Sequence, residues 1–148
     1  MNIKQKRILI ASVFIVIAVA VISIWYVFTV KFSDINNQKP VYSVKVLDLI
    51  SEFKNNDSIA NKKYAEKIIA VTGLVTEVEA VDSSINIKLG DTITGSYAIF
   101  AFQQQHLAEA KFIKKGDSIS IKGSCSGGAY SEILETEFIT FKRCALIK

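Results

Sequence analysis

Twenty-three consecutive residues, Ile8 to Val30 (ILIASVFIVIAVAVISIWYVFTV), carry no charge, no glycine and no proline. At about 1.5 Å per residue such a run makes a helix of about 34 Å, enough to cross a bilayer core with slight tilt. A cleaved secretory signal has a shorter apolar stretch, roughly 7–15 residues. A buried helix of a soluble domain would carry a polar stripe, and only Ser12, Ser23 and Thr29 interrupt this one. The run therefore predicts an uncleaved transmembrane anchor over 8–30, with Trp25 and Tyr26 near one end, where amphipathic rings favour the interface. Lys4, Lys6 and Arg7 precede it with no acid among them, whereas Lys31 and Lys39 follow it together with Asp34. That asymmetry predicts a cytoplasmic tip over 1–7 and a C-terminal domain outside the cytoplasmic membrane, periplasmic or extracytoplasmic.

The anchor changes what the net charge means. The chain has 18 basic and 14 acidic residues, a net of +4, yet only 15 of the basic residues lie beyond the tip, against all 14 acidic ones. A domain so close to neutral lacks the broad positive field of an affinity built on phosphate contacts.

Residues 31–40 (KFSDINNQKP) are polar and end in the single proline, so they read as a linker. Val46, Leu49, Ile50 and Phe53 then recur at helical spacing, with Lys45, Asp48, Glu52 and Lys54 on the other side. A second helical stretch follows, with Asp57 as its N-cap and with Ala60 and Tyr64 on one face. From Ile68 the apolar period changes from 3.6 to 2. Ile69 and Val71 hold one phase, Leu74, Val78 and Ala80 the other, and Gly73 stands at the flip, which predicts a bulge or bend there.

Alternation continues in INIKLG (85–90) and SISIKGSC (118–125), while SYAIFAF (96–102) is apolar on both phases and FITFKRCALIK (138–148) closes the chain. Between the third and fourth strands, QQQHLAEAKFIKKGD reads as a short helix or turn ending near Gly116. The fold class is mainly β with helices (α+β): a helical preface, then a five-stranded barrel over 41–148 in the OB-fold order, preceded by one transmembrane helix. An SH3-like barrel or an open α+β sheet is the alternative.

These residues also resemble a known family. The run YSVKVLDLISEFKNNDSIANKKYAEKIIAVTGLVTEV, then FIKKGDSISIKGSCSG and the terminal FKRCALIK, is similar to the tRNA-anticodon-like OB-fold family of small bacterial proteins. The matching positions are Asn61, Lys63, Tyr64, Val71, Gly73, Val75, Lys115, Gly116, Gly123, Cys125 and Cys144. The resemblance covers roughly residues 41–148. It implies the barrel and an anchored or exported setting, and it leaves the ligand open.

An OB barrel binds through its second and third strands and the adjoining loops, which points to Asn86, Lys88, Tyr97 and, in the loop SGGAYSE, Tyr130. Lys62 and Lys63 around Tyr64 form a possible phosphate patch, against which stands a solvated helix face with Tyr64 plugging the barrel. Cys125 and Cys144 lie equidistant from position 134.5, at the end of AYSEIL, so an antiparallel pairing folded about that point would oppose them as a disulfide, worth about 3 kcal/mol. A reduced pair would fit a cytoplasmic or redox setting instead.

No catalytic constellation, metal set or cofactor motif can be assembled. The elbow-like GSCSG runs from strand to glycine-rich loop, with the single histidine, His106, upstream of it. His106 itself reads as a surface residue at a helix start, with Glu109 as its local partner. The expected function is an anchored, non-catalytic binding module for an envelope protein or glycan. Single-stranded DNA or tRNA binding and a structural role in envelope assembly are the alternatives.

Overall fold

The computed structural model describes residues 2–29 and 33–147. The predicted end of the anchor at Val30 and start of the linker at Lys31 lie outside the described residues. The chain divides into two units, one up to Ser33 and the other from Asp34 onward.

In the first unit α1 runs from Ile3 to Thr29. Its stretch from Ile10 is long and apolar enough to cross a membrane. Hydroxyls in such a helix must find partners within it, because hydrocarbon offers none. Ser23 Oγ donates to the Val19 carbonyl at 2.8 Å and Thr29 Oγ1 to that of Trp25 at 2.6 Å.

The second unit begins with the segment predicted to be a linker, and its described part is docked rather than free. A 3₁₀ turn, Ile35–Asn37, buries Ile35 to 1% exposure. Lys122 Nζ donates to the carbonyls of Asn36 (3.1 Å) and Gln38 (2.8 Å), which satisfies a largely buried ammonium.

The chain then forms β1 (Tyr42–Lys45), α2 (Val46–Asn55), α3 (Asp57–Tyr64), β2 (Ile68–Val81), β3 (Ser84–Gly90), β4 (Tyr97–Phe102), α4 (Leu107–Ala110), β5 (Ser118–Ser131) and β6 (Thr136–Leu146). Strands β2 to β6 are the five expected barrel strands. They close in the order β2-β3-β4-β6-β5-β2, with β4 and β6 parallel and the other pairs antiparallel. The inward phase supplies the core: Ile69, Val71, Val75, Ile87, Leu89, Ile121 and Ile139, with Phe100 and Phe141 stacked at 4.5 Å between ring centroids.

Three local expectations change. Residues 42–45 are not the start of the helix but a sixth strand, β1, parallel to β2 with Tyr42 opposite Ile69. The cap of α3 is Asn56, whose side chain accepts from Ile59 N at 3.0 Å, and Asp57 is the first helical residue. The phase flip of β2 falls not at Gly73 but between Val75 and Glu77, where the register with β3 shifts, so Leu74 faces solvent while Val78 and Ala80 share the inward phase, Ala80 being exposed near the strand end.

Gly73 is explained by α2 instead. A Cβ there would lie 2.5 Å from Val46 Cγ1 and 3.0 Å from Val46 Cβ, so the helix start rests directly on bare backbone. From that foothold α2 buries Val46, Leu49, Ile50 and Phe53 over the barrel, the four residues its periodicity predicted. Gly73→Ala is therefore expected to cost about 1–3 kcal/mol. The same substitution in a Val46→Ala background should cost clearly less, as read by urea unfolding in a double-mutant cycle; equal costs would remove Val46 as the cause.

Candidate functional site

Register brings the predicted strand residues to one outer face. Asn86 and Lys88 project from β3, Tyr97, Ile99 and Ala101 from β4, and Glu77 and Glu79 from β2, with Glu77 directly opposite Lys88 and Glu79 opposite Asn86. The double-sided apolar pattern of β4 resolves with Ala98, Phe100 and Phe102 inward and Tyr97 outward.

Lys88 sits at the centre of this face and is fully engaged. Its Nζ lies 2.6 Å from Glu79 Oε1, 2.9 Å from Glu77 Oε2 and 5.1 Å from the centroid of the Tyr97 ring. Hydrogen bonds to Glu79 and then Glu77 outweigh burial and raise its pKa to about 12. One cation between two carboxylates leaves the triad with net negative charge. Thr76, Lys88, Thr92, Tyr97 and Lys115 line a shallow cleft of about 440 Å³ beside it.

Lys62 and Lys63 lie on α3, apart from the strand residues, and Lys62 is exposed. Tyr64 is the plug: fully buried, edge-on to Tyr42 at 5.3 Å and stacked with Phe53 at 6.2 Å. Its hydroxyl donates to Glu52 Oε1 at 3.0 Å, while Lys63 Nζ binds Glu52 Oε2 at 2.7 Å and lies 4.6 Å over the Tyr64 ring. The hydrogen bond to Glu52 holds Lys63's pKa above the ordinary lysine value, and the bond from Lys63 holds Glu52's below the ordinary carboxylate value. Tyr64 is thus a plug rather than a stacking platform, and the Lys63 ammonium is paired with Glu52.

Tyr130 belongs to neither group. SGGAYS continues β5 rather than forming a loop, and the turn is confined to the residues between Ser131 and Thr136. Tyr130 is half exposed and pairs across the hairpin with Glu137, which is buried.

Two further corrections concern His106 and the cysteines. His106 is buried, and its Nε2 lies 2.7 Å from Asp34 Oδ1 in the docked segment, with Glu109 Oε2 4.0 Å from Nδ1. A backbone N–H from Asn36, then the contact with His106, lowers the Asp34 carboxyl. Cys125 stands opposite Phe141, not Cys144: the hairpin closes with Ser131 opposite Thr136, a register that already separates the two cysteines, and the shift between Cys125 and Gly127 displaces them by one more position. Both cysteines are buried free thiols, and burial pushes both pKas up. Cys144 Sγ occupies the space a Cβ at Gly123 would need.

This barrel order and its helical cap accompany a family match. The tRNA_anti-like model matches residues 1–136, the apolar helix included. The chain belongs to the tRNA_anti-like family. A lipoprotein from Klebsiella pneumoniae subsp. pneumoniae, a candidate nucleic acid-binding protein, shares the fold with a TM-score of 0.53 at 15% identity, over 71% of this chain and 91% of that one. Asparaginyl-tRNA synthetases from Pyrococcus horikoshii and Entamoeba histolytica give TM-scores of 0.40 and 0.39 at 13% and 16% identity, over 58% and 55% of this chain. This tRNA_anti-like chain spans 21% of each synthetase. No curated protein matches it. The family and the fold together describe an OB-fold binding domain.

The Glu52 cluster gives a pH signature. A carboxyl depressed in the folded state contributes stability above its ordinary value, and that contribution is lost as pH falls through the folded value. Between about pH 5 and pH 3 the urea midpoint of wild type should fall further than that of Glu52→Gln. Equal falls would show that the Lys63 and Tyr64 contacts to Glu52 do not persist in solution.

Proposed function

We propose that this tRNA_anti-like protein is a single-pass, N-in membrane protein that presents its barrel outside the cytoplasmic membrane as a non-catalytic binding module for an envelope glycan or protein. The observation that carries this reading is the Glu77–Lys88–Glu79 triad at the centre of the face through which OB barrels bind oligonucleotides and oligosaccharides. A phosphate backbone meeting the centre of that face encounters two carboxylates and a lysine already held by both, with Lys115 as a further cation lining the adjacent cleft. A ligand rich in hydroxyl or N–H donors finds acceptors there, beside the Tyr97 ring.

Nucleic-acid binding is the second reading, motivated by the family and by the Klebsiella lipoprotein's description. It requires salt-sensitive affinity.

Labelled oligo-dT and tRNA, titrated against the full chain in neutral detergent, separate the two readings. The expected result is no saturable binding at moderate salt, and the appearance of weak, salt-sensitive binding in Glu77→Gln/Glu79→Gln, which frees Lys88. Steeply salt-dependent binding by wild type that is lost in Lys88→Ala would overturn the proposal in favour of nucleic acid.

Topology is read separately, by protease treatment of intact spheroplasts carrying a C-terminal epitope. The expected outcome is loss of the epitope while a cytoplasmic marker survives; protection until lysis would put the domain in the cytoplasm.

A further inference from the structure

Glu137 is out of keeping with its surroundings. On β6 it shares the inward phase with Ile139 and Phe141, and it is 4% exposed. Its backbone N–H donates to Ser96 Oγ at 3.1 Å, but its carboxylate Oε2 is buried and accepts no hydrogen bond. A desolvated carboxylate oxygen without a donor is rare in native proteins and asks for an explanation.

The carboxylate borders a cleft of about 550 Å³ between the α2–α3 corner and the β5–β6 hairpin. Phe53, Lys54, Asn56 and Asp57 line one side, Tyr130 and Glu137 the other. The two walls are fixed to each other from behind. Asn61 Nδ2 donates to the Gly128 carbonyl at 2.9 Å, and Gly128 N donates back to Asn61 Oδ1 at 3.0 Å. The Phe53 ring packs against Gly128 so closely that a Cβ there would meet it at 2.8 Å. A cleft held this way is formed before any ligand arrives, which lowers the cost of binding.

The chemistry of the cleft selects for a donor with positive charge. Asp57 is a second carboxylate within electrostatic reach of Glu137, and burial first, then Asp57, push the Glu137 carboxyl up against the opposing pull of Lys54. Lys54 forms no ion pair with Glu137 among the described residues. The Tyr130 ring offers a π face at the rim and Phe53 an apolar wall. No group of three or more His, Cys, Asp or Glu suited to a metal ion occurs among the described residues.

We propose that this cleft binds an organic cation, a primary ammonium or a guanidinium, with Glu137 as the anionic base, Asp57 as the second carboxylate and Tyr130 as the aromatic wall. The cation supplies the donor that Oε2 lacks. It is either a free diamine-type molecule or a lysine or arginine side chain exposed on a partner. The site is separate from the β2–β4 face and stands or falls without it.

The test is calorimetric titration of the full chain in neutral detergent with cadaverine, agmatine and capped Gly-Lys-Gly and Gly-Arg-Gly peptides, with N,N′-diacetylcadaverine as the uncharged control. Saturable one-to-one binding of at least one cationic probe is expected, with the control silent. Glu137→Gln should weaken it about tenfold or more, and Tyr130→Ala about threefold. Tighter binding of the free amines identifies a small-molecule site, and tighter binding of the peptides a docking site for a basic side chain.

Glu137→Gln is nearly isosteric and removes an uncompensated charge, so its urea midpoint at neutral pH should equal or exceed that of wild type. That result establishes that lost binding is not lost folding. Absence of saturable binding by every cationic probe, or equal binding by wild type and Glu137→Gln, overturns the proposal.

Discussion

Strand β2 has one backbone and three neighbours. Its first half lies between β1 and β5, and its second half pairs with β3. Each peptide group can serve only one partner on each side, so the strand must change partners along its length; it does so between Thr72, opposite β1, and Val75, opposite β3, and a register shift follows between Val75 and Glu77. The position of that shift also decides what the barrel shows to solvent. Side chains alternate along a strand, so without the extra residue the outward set after Val75 would be exchanged with the inward one. Glu77 and Glu79 would lose their place beside Lys88. The electrostatics of the outer face follow from one backbone irregularity.

Several cations of the barrel and its cap are committed within the chain. Lys63 is held by Glu52, Lys88 by Glu77 and Glu79, Lys142 lies 3.6 Å from Glu66, and Lys122 caps two carbonyls of the docked segment. Exposed pairs of this kind contribute little to stability. Their effect is on the field that a ligand meets. A near-neutral total can hide a broad basic stripe balanced elsewhere by acids, but local pairing leaves none at Lys63 or Lys88. Glu137 is the reverse case, an anion that the fold buries and leaves without a donor at Oε2.

Much of the fold was legible because period-2 and period-3.6 patterns are local. The inward residues of β3, the apolar face of α2 and the burial of Tyr64 all follow from spacing alone. What escaped depends on distant partners. Asp34 and His106 are 72 positions apart, so a polar segment that looked like a linker gave no sign of docking. The opposition of Cys125 and Cys144 assumed a turn centred one position too late in the chain, and the closure of the hairpin at Ser131 and Thr136 set a different register. β1 is only four residues long and runs straight into a helix, so its pattern merged with that of α2. Glu137 did leave a signal: counting back by two from Phe141 and Ile139 puts a carboxylate on the inward phase. A charged residue in that position is the kind of local conflict that marks a site rather than a core.

The outer face and the Glu137 cleft share no position except through Ser96. This buried serine borders the cleft beside Lys88, and its hydroxyl accepts the backbone N–H of Glu137. Tyr97 follows it on β4 and pairs with Phe138, which follows Glu137 on β6. The parallel β4–β6 pairing that closes the barrel therefore starts both strands side by side, one carrying an outer-face residue and the other the buried carboxylate. A rigid ladder here fixes the separation of the two sites whichever ligand occupies either. Coupling between the two recesses would have to pass through the backbone of Ser96 to Tyr97 and Glu137 to Phe138.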